Sequence, residues 1–159
     1  AIVPKVVEKI EGWKGEVLYT LDTHHKKYLE TQEGKHLPVS HCIYGTKGWQ
    51  LVDEVENAAH KPTELFDLDE YEKNTFGSVD LMDELQSFNS GEMYGINSIT
   101  LIGLCTDICV ISNAMLFKAA MPEVPIIVDA NCCAGVTPES HKNALAAMKM
   151  CQIEIVNEE

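Results

Sequence analysis

The sequence predicts an α/β fold of three layers, in which a parallel sheet lies between two layers of helices. Two observations support this prediction. Short apolar segments of strand length alternate with longer segments of helical periodicity along most of the chain. Parallel strands need such helical crossovers, and the crossovers cover both faces of the sheet. The 159 residues show no internal repeat and no low-complexity segment, so we expect one domain over residues 1–159.

The first half of the chain combines regular segments with one long polar segment. We predict helices over residues 2–10 and 50–59, and strands over residues 16–21 and 63–68. Gly12 and Gly15 end the first helix. Residues 22–48 are polar and rich in His, Lys and Glu. A connection of that length inside a compact domain is usually functional, so we expect a site there.

The second half of the chain alternates more regularly. We predict strands over residues 98–104, 125–130 and 152–156, and helices over residues 79–88, 108–120 and 138–150. The last helix has the clearest start, because Thr137 provides an N-cap, Pro138 a first helical residue and Glu139 a first-turn carboxylate.

Composition excludes several classes of partner. The chain has 12 basic and 25 acidic residues, a net charge of −13, and no basic stripe. Such a field repels nucleic acid and anionic membrane surfaces, so we expect neither as a partner. No apolar stretch reaches the ~18 residues that a membrane span requires. We expect the six cysteines to be reduced thiols and the protein to be cytoplasmic.

Cys109 stands where a predicted buried strand passes into a predicted buried helix. In a parallel sheet, ligands bind beyond the carboxyl ends of the strands. Thr106 or Asp107 can cap the helix, which would place Cys109 in its first turn. A helix N-terminus favours a thiolate, and its N–H groups can stabilise an oxyanion. A cysteine at such a position can also be a small buried apolar side chain, so position alone leaves both interpretations open.

The polar segment contains a pattern of metal ligands. Asp22 and His24 are two residues apart, and in an extended backbone this spacing places both side chains on one face. His41 could return from the far end of the segment as a third ligand. One carboxylate and two imidazoles suit Zn²⁺ or Fe²⁺, and Mn²⁺ is a further possibility. The alternative is a solvated loop that happens to contain histidines.

Four segments together resemble one protein family. These are "LDTHH…LPVSHCIYGTKGWQL", "YEKNTFGSVDL", "GLCTDICVISNA" and "VDANCCAGVTPESHKNAL", which follow one another along nearly the whole chain. In this order they are similar to the isochorismatase-like cysteine hydrolases, and within them to the nicotinamidase/pyrazinamidase branch. The resemblance implies a Rossmann-like parallel sheet with helices on both faces.

The resemblance also implies roles for particular residues. It makes Cys109 the nucleophile and Lys73 the catalytic lysine, which would lower the pKa of the thiol. It assigns the oxyanion to the backbone N–H groups of Cys105 and Cys109, and it implies a cis peptide between Leu104 and Cys105. It supports a divalent metal, Zn or Fe, on the Asp22, His24 and His41 side chains.

The implied function is hydrolysis of a small carboxamide, with nicotinamide the leading substrate, through a thioester intermediate. One alternative is a family member that hydrolyses another small amide. A second is a member that binds small molecules without catalysis. A third is a thiol redox protein that uses Cys105 and Cys109, but the C-x₃-C spacing matches the redox motif C-x-x-C poorly. The family commonly associates, so we expect a homo-oligomer.

One expected element has no counterpart in this sequence. The family's general base is an aspartate at the end of the first strand, in a stretch such as "LLVIDMQNDF", and the present chain opens in what resembles the following helix. The sequence therefore predicts a sheet that lacks its first strand, and an upstream segment that would supply it. Hydrolase activity of the chain as given depends on this point. The prediction requires an empty gap as wide as one strand beside the strand that ends at Leu104, or another chain that fills this gap.

Overall fold

The computed structural model describes residues 1–67, 69–91 and 95–158. Within these ranges the helices are α1 (Val3–Gly12), α2 (Gln32–His36), α3 (Asp53–Ala59), α4 (Val79–Asn89), α5 (Ile111–Ala120) and α6 (Pro138–Met150). The strands are β1 (Tyr19–Asp22), β2 (Glu70–Lys73), β3 (Ile99–Leu104), β4 (Ile126–Ala134) and β5 (Glu154–Val156). A 3₁₀ turn covers Tyr28–Glu30, and a π-helical turn covers Thr106–Val110.

The chain divides into two compact units. The smaller unit is Ile10–Thr75, and the larger unit comprises Ala1–Lys9 and Phe76–Glu159. The expectation of a single domain over residues 1–159 stays a prediction.

The smaller unit is built on the parallel pair β1 and β2. Tyr19 lies opposite Glu70, and Asp22 lies opposite Lys73 at the carboxyl ends of the two strands. The Thr23 N–H extends this pairing, because it donates to the Lys73 carbonyl at 2.6 Å. The pairing therefore places the first residue of the polar segment beside the last residue of β2.

The larger unit is built on the parallel sheet β3-β4-β5, with β4 in the centre. Helix α6 packs against β4, β5 and α5, and α5 also packs against α4. The core contains the largest fully buried apolar side chains of this unit, which are Phe117, Ile126, Val128, Leu145 and Met148. No helix in the described ranges combines the length and apolar character needed to cross a bilayer.

The predicted parallel α/β class is confirmed, because every strand pair in the described residues is parallel and helices connect the strands. The strand predicted over residues 63–68 is wrong. Residues 63–67 form no strand, residue 68 lies outside the described residues, and the strand is β2 at Glu70–Lys73. The physical reason is pairing at long range. The partner strand β1 selects the segment "EYEK", whose composition gives little β signal.

Among the described strands, β3 pairs with β4 and no strand pairs with its other edge. Its residues are correspondingly half-buried rather than buried, and Leu104 is 63% exposed. The upstream segment itself stays a prediction.

Candidate active site and metal centre

The proposed metal ligands come together in the smaller unit. Asp22 ends β1, His24 follows two residues later on the same face, and His41 lies in the returning part of the polar segment. Their ligand atoms all lie within 4.8 Å of one another. Asp22 Oδ2 is 3.4 Å from His24 Nε2 and 3.6 Å from His41 Nε2. The structure thus brings all three predicted ligands to one point.

Backbone pairing explains how His41 returns to this point. The His24 N–H donates to the Cys42 carbonyl at 2.9 Å, and the Tyr44 N–H donates to the His24 carbonyl at 2.8 Å. These bonds form a parallel bridge between His24 and Ile43. His41 precedes the bridged segment directly, so it is held beside His24 although 17 residues separate the two in sequence.

A fourth possible ligand, Glu33, was missed in the sequence. Its Oε1 atom lies 3.6 Å from His24 Nε2 and 3.7 Å from His41 Nε2. Glu33 lies in the first turn of α2, where Thr31 is the N-cap and accepts a hydrogen bond from the Gly34 N–H at 3.0 Å. Glu33 does not stand at a spacing from Asp22 or His24 that is typical of metal ligands. Only the folded path of the loop shows that it lies beside them.

These residues fit a divalent metal. His24 Nε2 is buried and has no hydrogen-bond partner, although it faces two carboxylates. His41 Nδ1 lies 2.9 Å from the Val39 carbonyl oxygen, which favours the tautomer with the proton on Nδ1 and a lone pair on Nε2. Each imidazole Nε2 atom lies 3.4–3.7 Å from one oxygen of both carboxylates. Such separations are close to those between neighbouring ligand atoms that each lie about 2.1 Å from a shared zinc ion.

Tyr28 holds the two imidazoles in place. Its ring centroid lies 4.6 Å from that of His24 and 5.0 Å from that of His41. Its hydroxyl donates to the Leu37 carbonyl at 3.0 Å, and the residue is only 1% exposed. Burial raises the pKa of the Tyr28 phenol, and the nearby carboxylate of Glu33 raises it further. Tyr28 is therefore a neutral, rigid wall of the cluster.

Lys73 is a buried lysine next to the same cluster. Its side chain is 4% exposed. The Nζ atom lies 3.6 Å from Asp22 Oδ1 and donates to the Thr75 carbonyl at 3.0 Å. These surroundings distinguish Lys73 from ordinary lysines, whose ammonium groups are solvated at the surface. The smaller unit thus brings Lys73 together with the three predicted metal ligands.

Cys109 lies in the larger unit, in the π-helical turn Thr106–Val110, which we call the Cys109 turn. The Cys105 carbonyl accepts hydrogen bonds from the Ile108 and Val110 N–H groups, both at 3.1 Å. Cys109 itself is half-buried. The Leu104–Cys105 peptide is cis, which confirms that prediction. The two cysteines assigned to the oxyanion thus lie at the start of one turn and on its fourth residue.

The predicted capping of this turn is wrong. Cys105 occupies the N-cap position and no side chain caps the turn. The Thr106 hydroxyl is instead 2.7 Å from His141 Nδ1, and the Asp107 carboxylate accepts from the Val136 N–H at 3.1 Å. Burial alone would raise the pKa of Asp107, but hydrogen bonds from Ser140 and Val136 outweigh it and lower that pKa. Both side chains tie the turn to the start of α6 rather than to their own backbone.

Asn113 also supports the Cys109 turn, although no sequence motif singles it out. Its Nδ2 group donates to the Cys109 carbonyl at 2.9 Å, and its Oδ1 atom accepts from the Ser78 N–H at 2.8 Å. The residue is 6% exposed. A buried amide with both ends bonded fixes the turn relative to the first residues of α4.

Two other cysteines are poor nucleophiles. Burial raises the pKa of Cys132, and burial raises the pKa of Cys133 to about 12. Both thiols lie on β4 and are less than a tenth exposed. They are small core residues of β4, which extends beyond the predicted strand over residues 125–130.

Comparison with known proteins agrees with these observations. The isochorismatase domain model matches residues 1–159. A nicotinamidase/pyrazinamidase from Bacillus subtilis is 26% identical, with a TM-score of 0.73 over 97% of this chain and 81% of that one. A Pyrococcus horikoshii pyrazinamidase in complex with zinc is 22% identical, with a TM-score of 0.72 over 99% of this chain and 85% of that one.

The Streptococcus mutans pyrazinamidase/nicotinamidase is 20% identical, with a TM-score of 0.74 over 98% of this chain and 85% of that one. No curated protein sequence matches the chain. The family match covers every residue, and the structural neighbours share the parallel α/β architecture. The chain therefore belongs to the isochorismatase family.

Proposed function

We propose that this protein is a cysteine-dependent amidohydrolase that converts a small carboxamide, with nicotinamide as the leading substrate, to the carboxylate and ammonia. The observation that carries the proposal is the family match over the whole chain, combined with Cys109 on an ordered turn directly after a parallel strand. The neighbouring structures include nicotinamidases and pyrazinamidases, which supports a heteroaromatic amide as substrate.

In the proposed reaction, the Cys109 thiolate adds to the carboxamide carbon and forms a C–S bond. The C–N bond then breaks, and nitrogen leaves as ammonia with the proton that the thiol gave up. In the family an aspartate carries this proton, and that aspartate has no counterpart in this sequence. Water adds to the thioester, releases the carboxylate and restores the thiol. The backbone N–H groups of Cys105 and Cys109 are assigned to the oxyanion, which is worth about 3 kcal/mol per donor in comparable enzymes. Lys73 is assigned to the stabilisation of negative charge, on the strength of the family motif.

We further propose that Asp22, His24, His41 and Glu33 hold a divalent metal. When bound, the metal would supply an electrophilic position for the ring nitrogen of the substrate. The chain's own contribution is to orient the ligands, through the Val39 carbonyl on His41 and through the walls around His24.

The central test of the proposal is ammonia release from nicotinamide. We expect wild-type protein to release ammonia, Cys109→Ala to be inactive, and Cys105→Ala to keep most of the activity because its backbone N–H remains. Equal activity in the Cys109→Ala variant would contradict the proposal. Binding of nicotinamide in calorimetry without any ammonia release would instead indicate a non-catalytic binding protein.

The metal assignment has a separate test. We expect about one Zn, Fe or Mn per chain by elemental analysis, and a metal affinity at least about tenfold lower in Glu33→Gln. Glu30→Gln is a matched control, because Glu30 is an exposed carboxylate of the preceding 3₁₀ turn. Metal content far below one per chain, unchanged by added Zn²⁺, Fe²⁺ or Mn²⁺, would contradict the assignment.

A further inference from the structure

The two carboxylate oxygens of Asp22 face different groups. Oδ2 lies 3.4 Å from His24 Nε2 and 3.6 Å from His41 Nε2, whereas Oδ1 lies 3.6 Å from Lys73 Nζ. The division follows from the strand register, because Asp22 and Lys73 are direct neighbours at the ends of β1 and β2. One carboxylate thus serves both the proposed metal cluster and the buried lysine.

Water screens the positive charge of the Lys73 ammonium from that of a bound metal ion only in part. The Lys73 side chain is 4% exposed and the His24 side chain is 6% exposed. A charged ammonium next to a ligand carboxylate draws electron density away from the metal and adds a positive charge near it. Asp22 and His41 are 28% and 32% exposed, so water reaches part of the cluster. Like charges nevertheless repel more strongly beside the buried Lys73 and His24 side chains than at a fully solvated surface.

We propose that Lys73 opposes metal binding, so that the metal and the lysine compete for the charge of Asp22. The inference rests on the metal site of the proposed function. Because coupling between two sites is reciprocal, a bound metal also weakens the hold of Asp22 on Lys73. Metal occupancy would then leave the ammonium less tightly paired and better able to respond to negative charge that develops on a substrate.

The proposal predicts that substitution of Lys73 changes metal affinity in the direction opposite to the usual one. Replacement of a neighbour that supports a metal ligand normally weakens metal binding, by about 10- to 100-fold. Here, removal of the lysine charge should tighten binding, by about tenfold or more, within the usual range of coupling between sites. Lys73→Met removes the charge at similar length. Lys73→Gln also removes the charge but keeps a donor for the Thr75 carbonyl, and Lys73→Arg retains the charge.

The experiment measures Zn²⁺ affinity of metal-free protein by competition with a chromophoric chelator, without substrate. Lys35→Met is the control for loss of one positive charge, because Lys35 is an exposed residue of α2, close in sequence to Glu33. Circular dichroism of each metal-free variant establishes that it is folded. We expect tighter binding in the Met and Gln variants, and affinities close to wild type for Lys73→Arg and Lys35→Met.

Unchanged or weaker affinity in both neutral variants overturns the proposal, because Lys73 would then orient Asp22 rather than compete for it. Such a result leaves the metal site and the amidohydrolase assignment intact. A wild-type protein that binds no Zn²⁺ overturns the metal site, and this inference with it. The ammonia assay on Cys109→Ala tests the proposed reaction independently.

Discussion

Asp129 is a buried carboxylate that pairs with one cation and accepts a hydrogen bond from one amide. The residue lies on β4, is 1% exposed, and its Oδ2 atom accepts hydrogen bonds from Lys9 Nζ and Asn157 Nδ2, both at 2.9 Å. Burial alone would raise the pKa of Asp129, but Lys9 and Asn157 outweigh it and lower that pKa. Through these contacts, Lys9 of α1 and Asn157, which follows β5, are both linked to the central strand of the larger unit.

This arrangement predicts a loss of stability in acid. Because the folded-state pKa of Asp129 is below the unfolded value of about 3.9, its contribution is complete above that pH and is lost as the pH falls through the lowered value. Asp129→Asn should cost about 3 kcal/mol at pH 7. It should also lessen the loss of stability that occurs as the pH falls below about 4. Urea unfolding at several pH values measures both effects.

Glu158→Gln is the control for this prediction. It removes the ion pair with Lys149, whose partners are 48% and 39% exposed, so we expect a change of less than about 1 kcal/mol. The prediction would be contradicted if the two variants were equally destabilised, or if Asp129→Asn left the acid dependence of stability unchanged. Protonation of Asp129 would then not be the cause of the loss of stability in acid.

At the scale of elements, the short helix α2 depends on one glycine. A Cβ atom on Gly34 would clash with the Tyr28 carbonyl oxygen and would lie 2.8 Å from the Leu29 Cα atom. The same carbonyl accepts hydrogen bonds from the Thr31 N–H at 2.9 Å and from the Thr31 hydroxyl at 2.6 Å. Close packing at Gly34 therefore sets where α2 begins and where Glu33 points.

Gly34→Ala should displace α2 and lower metal affinity by about tenfold or more, because Glu33 would leave the cluster. Gly48→Ala is the matched control in the same unit, since a Cβ atom there would meet nothing within 4 Å. Chelator competition on the two metal-free variants measures the effect. Similar affinities in Gly34→Ala and wild type would show that the packing of α2 does not determine metal affinity.

Elements with local signals could be predicted from sequence, and elements that depend on distant partners could not. Helix α6 begins as expected at Pro138 after the Thr137 cap, because capping involves residues three positions apart. Strand β2 was misplaced because its position depends on β1, nearly 50 residues earlier. The proposed metal ligands Asp22, His24 and His41 could be predicted from their residue types and from the D-x-H spacing. Glu33 and the Thr106–His141 contact arise only from the folded path of the chain.

At the scale of the whole molecule, the acidic composition has a specific consequence for metal binding. A net charge of −13 attracts any divalent cation weakly, whereas the cluster around His24 provides two imidazoles that hard cations such as Mg²⁺ disfavour. Weak binding of cations to the acidic surface and specific binding at the cluster should therefore differ in ion selectivity. They should also differ in place, because all four proposed ligands belong to the smaller unit.

We expect Zn²⁺ at about 100 times its dissociation constant to stabilise the folded smaller unit by about 2.7 kcal/mol. For a chain of this size, this corresponds to a rise in Tm of about 5–10 °C, which differential scanning calorimetry can measure. Mg²⁺ at the same concentration should raise Tm much less, and His24→Ala should abolish the response to Zn²⁺. Hydrogen exchange should locate the added protection in residues 19–43. Equal shifts with Zn²⁺ and Mg²⁺, or a full response in His24→Ala, would attribute the stabilisation to general screening of the acidic surface.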